Sequence, residues 1–125
     1  MSAEKNKELV LRFLNEFLIG RKVEALDELL GPAYCQHNPL IADNKENLIR
    51  YFQEFWNKHP TSDYHLKRIL AEGDLVAIHY HWVVEPQVFE RAIVDIFRVE
   101  NGKLVEHWDV VQPIPETSIN EHPMF

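Results

Sequence analysis

Apolar side chains recur at helical spacing through the first half of the chain. Leu9, Val10, Phe13, Leu14, Phe17 and Leu18 form one stripe within Lys5 to Ile19, predicting an amphipathic helix that Gly20 stops. Val23, Leu26, Leu29 and Leu30 repeat the pattern in a shorter helix from Val23 to Leu30, closed by Gly31-Pro32. An irregular stretch follows, Tyr34-Cys35-Gln36-His37-Asn38-Pro39, too polar for ordinary core. Asn44 is placed to cap a third helix that runs to about Lys58, with Leu48, Ile49, Phe52, Phe55 and Trp56 inward and His59-Pro60 as its end.

Beyond Pro60 the period shortens to that of strands. Tyr64 to Leu70, Leu75 to Val84, Phe89 to Val99 and Leu104 to Val111 read as four strands. Glu72-Gly73 and Asn101-Gly102 mark hairpin turns, and Glu85-Pro86-Gln87 marks a third short connection. Three helices followed by a meander of long strands is an α+β plan, with the helices on one face of an antiparallel sheet. Without repeats or a linker, residues 1–125 form one domain, and residues from about 114 to 125 form a short polar tail placed to fray or to cover an edge.

Two carboxylates interrupt the apolar strands. Asp95 lies within Ile93-Val94-Asp95-Ile96-Phe97, and Asp109 within His107-Trp108-Asp109-Val110-Val111. Such a group is costly unless it is paired, hydrogen-bonded or open to a cavity. The hairpin register decides which. A two-residue Asn101-Gly102 loop pairs Val99 with Leu104 and Asp95 with Trp108, which puts Asp95 and Asp109 on opposite faces. A three-residue loop, Glu100-Asn101-Gly102, pairs Val99 with Lys103, Asp95 with His107 and Ile93 with Asp109. The second register is preferred. It gathers Asp95, His107 and Asp109 on one face with Ile93, Phe97, Val105 and Val111, and leaves Val94, Ile96, Leu104, Trp108 and Val110 opposite.

His79 and His81 share a face of the second strand with Leu75, Ala77 and Val83, while Val76, Ile78, Tyr80 and Trp82 take the other. Both faces are largely apolar, so parity alone leaves the inward one open. A tight Glu72-Gly73 turn would set Leu66 beside His79 and Tyr64 beside His81. The His-x-His spacing suits a metal as well as a ligand or a bonded core pair. His37, in the irregular stretch, is either a candidate site residue or a loop histidine bonded to backbone. Trp56 reads as core, Cys35 as inert, His59 as surface and His122 as tail.

Composition narrows the partners. Thirteen Lys and Arg stand against 20 Asp and Glu, a formal charge of −7. That balance argues against nucleic acid and against anionic membrane surfaces. A single cysteine excludes an intrachain disulfide and any Cys-based zinc cluster. No apolar signal core or membrane-length run is visible, so a cytoplasmic location is the expectation.

The segments Tyr34 to Pro39, Ala71 to Ala77 and Val94 to Gln112 together resemble SnoaL-like proteins of the nuclear-transport-factor-2-like superfamily. The resemblance runs from the first helix to about Glu116. It implies a curved antiparallel sheet and three helices forming a cone around a deep pocket. It also implies that Asp109 matches the acidic residue that polyketide cyclases of this type use as a general base. Their histidine position falls on Asp95 here, a departure from the pattern. In relatives like limonene-epoxide hydrolase an acidic residue also matches Asp109, and the segment holding Cys35 and His37 would help to hold water. Their Arg-x-Asp pair has only His79-x-His81 as its nearest match. Cofactor-independent acid–base chemistry on a small apolar or carbonyl compound follows as the leading expectation, with Asp109, Asp95, His107 and His37 as the catalytic set. His79, His81, Gln36, Tyr34 and Phe97 are expected to line the ligand, without metal or cofactor. Epoxide-type water activation, non-catalytic binding of a small apolar molecule and a protein-interaction role are the alternatives. A homodimer through the outer sheet face is implied as well, and the apolar Val94, Ile96, Trp108 and Val110 give it a physical motive.

Overall fold

A computed structural model describes residues 2–85 and 89–125. Helix α1 (Ala3–Arg12) starts at Ser2, whose hydroxyl accepts from the Lys5 backbone N–H at 3.2 Å. It continues as a π-helical segment, Phe13–Ile19, which ends at Gly20, with Arg21 at φ 57° just beyond. A 3₁₀ turn, Val23–Ala25, leads into the short α2 (Leu26–Leu29). Helix α3 (Lys45–Lys58) opens on Asn44, whose side chain accepts from the Asn47 N–H.

Five strands form one sheet in the order β1-β5-β4-β3-β2. They are β1 (Leu30–Gln36), β2 (Thr61–Glu72), β3 (Leu75–Glu85), β4 (Phe89–Glu100) and β5 (Lys103–Pro113). The last four are antiparallel, as their pattern predicts, and β1 joins β5 in parallel, so the sheet is mixed. This corrects the reading of residues 30–36. Gly31-Pro32 does not close a helix but lies inside β1, and Tyr34, Cys35 and Gln36 are strand residues rather than irregular chain. Seven residues with two buried apolar positions, Leu30 and Tyr34, and a proline between them carry too little periodicity to announce a parallel strand. At the expected third connection, Pro86 and Gln87 lie outside the described residues.

Both hairpin registers depart from expectation through β-bulges. On β2 the extra residue lies between Leu66 and Arg68, so His79 pairs with Arg68 and His81 with His65, and Tyr64 faces Trp82. On β5 the turn is the two-residue Asn101-Gly102 form, both residues at positive φ (52° and 72°), and Glu100 pairs with Lys103. Val99 then pairs with Leu104, but Arg98 pairs with Glu106, leaving Val105 as the bulged residue. The outcome is a pairing of Asp95 with Asp109 and of Phe97 with His107. Neither simple loop predicts it, yet the preferred grouping of Asp95, His107 and Asp109 on one face holds. Leu104 moves: expected on the outer face, it is fully buried. The bulge rests on β1, where a Cβ added at Gly31 would approach Val105 Cγ1 to 2.9 Å.

The core fills the concave side of the sheet. Val10, Phe17, Leu26, Leu29, Val76, Ile78, Phe97 and Leu104 are fully buried there. Each such side chain contributes about 1.5–3 kcal/mol relative to exposure. Phe13 packs edge-on against Phe97 and tilted against Phe17, tying the π-helical segment to β4. The tail lies against the sheet: Ile114 donates its N–H to the Glu90 carbonyl, and Phe125 stacks 4.6 Å from the His81 ring.

Candidate active site

A cavity of about 520 Å³ opens between α3, the π-helical segment and the concave face of the sheet. Its walls are aromatic. Tyr51, Phe52 and Phe55 come from α3, and Tyr64, Trp82 and Phe89 from the sheet. Its polar end is built where β1, β4 and β5 run side by side, from Gln36, Asn38, Asp95, His107 and Asp109.

The strand pleat explains this gathering. Asp95 and Asp109 are cross-strand partners, and His107 stands two residues from Asp109 on the same face. Because β1 pairs Gln36 with His107, Gln36 turns the same way. His107 lies between two partners: Nε2 is 3.0 Å from Asp95 Oδ1, and Nδ1 is 2.5 Å from Gln36 Oε1. The same Gln36 oxygen accepts the Asn38 backbone N–H at 3.1 Å. With a partner at each nitrogen, the ring is fixed in place. Asp95 and His107 are both buried, as is Tyr80, whose hydroxyl reaches Asp95. Burial, reinforced by the Asp95 charge, pushes the Tyr80 phenol well above its ordinary value, so it stays a donor.

Asp109 is different. Its side chain is 12% exposed, accepts one hydrogen bond from Asn38 Nδ2 at 2.8 Å, and lies 4.0 Å from His107 Nε2. Burial raises its pKa above the usual carboxylate range, and the Asp95 charge adds to that rise, while Asn38 and His107 oppose it. A partly desolvated carboxylate with one fixed partner and one free edge on a cavity is equipped to take a proton.

Of the expected site residues, Asp95, Asp109, His107, Gln36 and Tyr34 line the cavity. Phe97 does not: it is fully buried behind the site, with its ring 4.8 Å from His107. Three histidines fall on the other side of the sheet. His79 and His81 project from the outer face, because Ile78, Tyr80 and Trp82 take the inner one. There His79 contacts Arg68, His81 pairs with Glu90 at 2.8 Å, and Phe125 covers both rings. His37 is outward too, stacked 4.8 Å from Trp108 and bonded to Glu106 at 2.6 Å. Their expected place at the cavity is therefore corrected by strand parity. The sequence reading missed Asn38 and Tyr80. Asn38 stood in the polar stretch already singled out, and Tyr80 in the alternation Ile78-Tyr80-Trp82.

The fold and this polar end define a cone-shaped α+β protein of the nuclear-transport-factor-2-like kind. The profile of the SnoaL-like domain matches residues 10–107, and the chain belongs to that family. Solved structures share the fold at low identity. IdmH of Streptomyces antibioticus, described provisionally as a polyketide cyclase, is 21% identical with a TM-score of 0.73, covering 85% of this chain and 91% of its own. AclR of Streptomyces galilaeus, described provisionally as a hydroxylase, is 19% identical with a TM-score of 0.73, covering 89% and 91%. An NTF2-like protein of unknown function from Mesorhizobium loti is 20% identical with a TM-score of 0.71, covering 88% and 93%. No curated protein sequence matches the chain. No helix among the described residues is long and apolar enough to cross a membrane.

Proposed function

We propose that the protein catalyses acid–base chemistry on a small carbonyl compound, either an aldol-type ring closure or an isomerisation through an enolate. The observation that carries the proposal is Asp109: raised in pKa, held by Asn38, and open to an aromatic-walled cavity. Asp109 removes the proton α to the carbonyl, and the electron pair moves onto the carbonyl oxygen. Among the four candidate histidines, His107 is the one that lines the cavity, and it would meet that developing charge by exchanging its Gln36 bond for one to the oxygen. Its Asp95 bond is made before substrate arrives, which lowers the reorganisation needed during reaction. In ring closure the enolate carbon then attacks a second carbonyl of the same molecule, and the alkoxide formed there takes the proton back from Asp109. In isomerisation the enolate is instead protonated at a different carbon by the acid form of Asp109. Neither route consumes a redox equivalent. The names given to IdmH and AclR mark cyclisation and hydroxylation as chemistries associated with this fold.

The test is Asp109→Asn, which preserves size and the bond to Asn38 while removing the base. Turnover of a β-dicarbonyl substrate should fall by roughly 10²–10⁴-fold, the usual worth of a positioned base. Unchanged circular dichroism would confirm that the fold survives. A fully active Asn variant would sink the proposal.

The proposed assembly is a homodimer through the part of the outer face that the tail leaves uncovered. Val110 there is 67% exposed beside Trp108. Sedimentation at micromolar concentration should give twice the 14.8 kDa chain mass; a monomer contradicts the pairing.

A further inference from the structure

Beyond the cavity, a second cluster of metal-ligating side chains stands on the opposite face of the same strands. Cys35 and His37 are two residues apart along β1 and its continuation, so they project to one side. Glu106 is the cross-strand partner of Cys35. The His37 N–H donates to the His107 carbonyl at 2.9 Å, extending the pairing with β5 past the end of β1. The thiol, imidazole and carboxylate thus converge, their ligand atoms all within 4.8 Å of one another. Cys35 Sγ lies 3.9 Å from His37 Nε2, and Glu106 Oε2 lies 2.6 Å from the same nitrogen.

We infer that Cys35, read as inert from the sequence and alone insufficient for a multi-cysteine cluster, forms with His37 and Glu106 a mixed-ligand surface site for a borderline-soft divalent cation, with Zn²⁺ the best match. Three features support it. First, the spacing is near what the ion needs. Zinc bonds of about 2.3 Å to sulfur and 2.0–2.1 Å to nitrogen or oxygen place tetrahedral ligands roughly 3.3–3.6 Å apart. Opening the His37–Glu106 hydrogen bond by under about 1 Å reaches that geometry. Second, the ligands are held from behind. Arg98 Nε donates to Glu106 Oε1 at 2.8 Å, which leaves Oε2 directed at His37. Trp108 stacks on the His37 ring with only 7° between planes. Third, the donor set selects the ion: thiolate and imidazole favour zinc-like metals over Mg²⁺ or Ca²⁺.

Three protein ligands leave the fourth position to water, the arrangement of an open rather than a closed site. Arg98 places a positive charge nearby, so affinity will be lower than in a closed structural site. Among the described residues the other cluster within the same distance limit is Asp95, His107 and Asp109. It has no sulfur ligand, and its hydrogen bonds belong to the cavity site.

Cobalt titration of the full chain tests the site, because a Co²⁺–thiolate bond gives a near-ultraviolet charge-transfer band that oxygen and nitrogen ligands do not. The band should saturate at one equivalent and be displaced by Zn²⁺. Cys35→Ser should abolish it and weaken zinc binding, read by calorimetry, by roughly tenfold or more. Asp95→Asn, in the cavity, should leave it intact. No charge-transfer band in the folded protein overturns the assignment. Zinc binding to Cys35→Ser as tight as to the wild type also overturns it, and would move the ion to the cavity carboxylates.

Discussion

Two polar networks lie back to back on β1, β4 and β5, built from alternate residues of the same strands. Inside stand Gln36, Asp95, His107 and Asp109; outside stand Cys35, His37, Arg98, Glu106 and Trp108. Both contain a histidine bonded to a carboxylate at ordinary distance, 3.0 Å for His107–Asp95 and 2.6 Å for His37–Glu106. Their surroundings differ. The inner pair has side-chain exposures of 9% and 5%, the outer pair 41% and 20%. The same bond is therefore a strong local constraint on one side and a screened surface contact on the other. Bond length says little about energetic weight; the water around it says most.

Removing one partner from each pair gives the widest separation. Asp95→Ala leaves His107 and Tyr80 buried without their acceptor and should cost about 3 kcal/mol in denaturant unfolding. Glu106→Ala should cost about 1 kcal/mol or less, with the difference from wild type shrinking at high salt. Equal costs would erase the contrast. A smaller effect concerns titration, where the two sides run in opposite directions. The raised Asp109 pKa means the folded chain binds the extra proton, so this group's stabilisation is present at low pH and lost as pH rises through its folded value. Arg98, then His37, lower the Glu106 pKa, so its stabilisation is present above the ordinary carboxylate range and lost as pH falls through its folded value. Carboxyl carbon NMR should therefore find Asp109 titrating above the ordinary aspartate value and Glu106 below the ordinary glutamate value. Asn38→Ala should move Asp109 further upward, because the ionised carboxylate loses the hydrogen bond that opposes the rise. A downward shift would mean that Asn38 does not hold the ionised form.

Periodicity made the helices, the last four strands and the α+β plan legible, because each of those elements carries several apolar residues on one stripe or face. β1 was not, since Pro32 and the polar Gln36 interrupt a strand that is recognisable only from its partner β5. The grouping of Asp95, His107 and Asp109 was legible as misplaced polarity in apolar strands. The side taken by His79 and His81 was not, because Tyr80 and Trp82 can be buried or exposed equally well by pattern; the helices packed against β3 decide it. His37 illustrates the same limit from another direction. Its neighbours Gln36 and Asn38 turn into the cavity while it turns out, a difference of one position in a stretch without visible period.

The single extra residue at Val105 has a meaning beyond local geometry. Residues 106–109 carry two interleaved messages, His107 and Asp109 for the cavity, Glu106 and Trp108 for the surface. Which message is read inside depends on a reading frame, and the bulge sets it. With the same two-residue turn and no bulge, Glu106 and Trp108 would face inward and His107 and Asp109 outward, breaking both networks. Gly31, whose missing side chain leaves room for Val105, acts as the punctuation mark. A substitution there would press on the Val105 side chain, so a residue with no functional group at all borders the bulge that sets which chemistry the cavity contains.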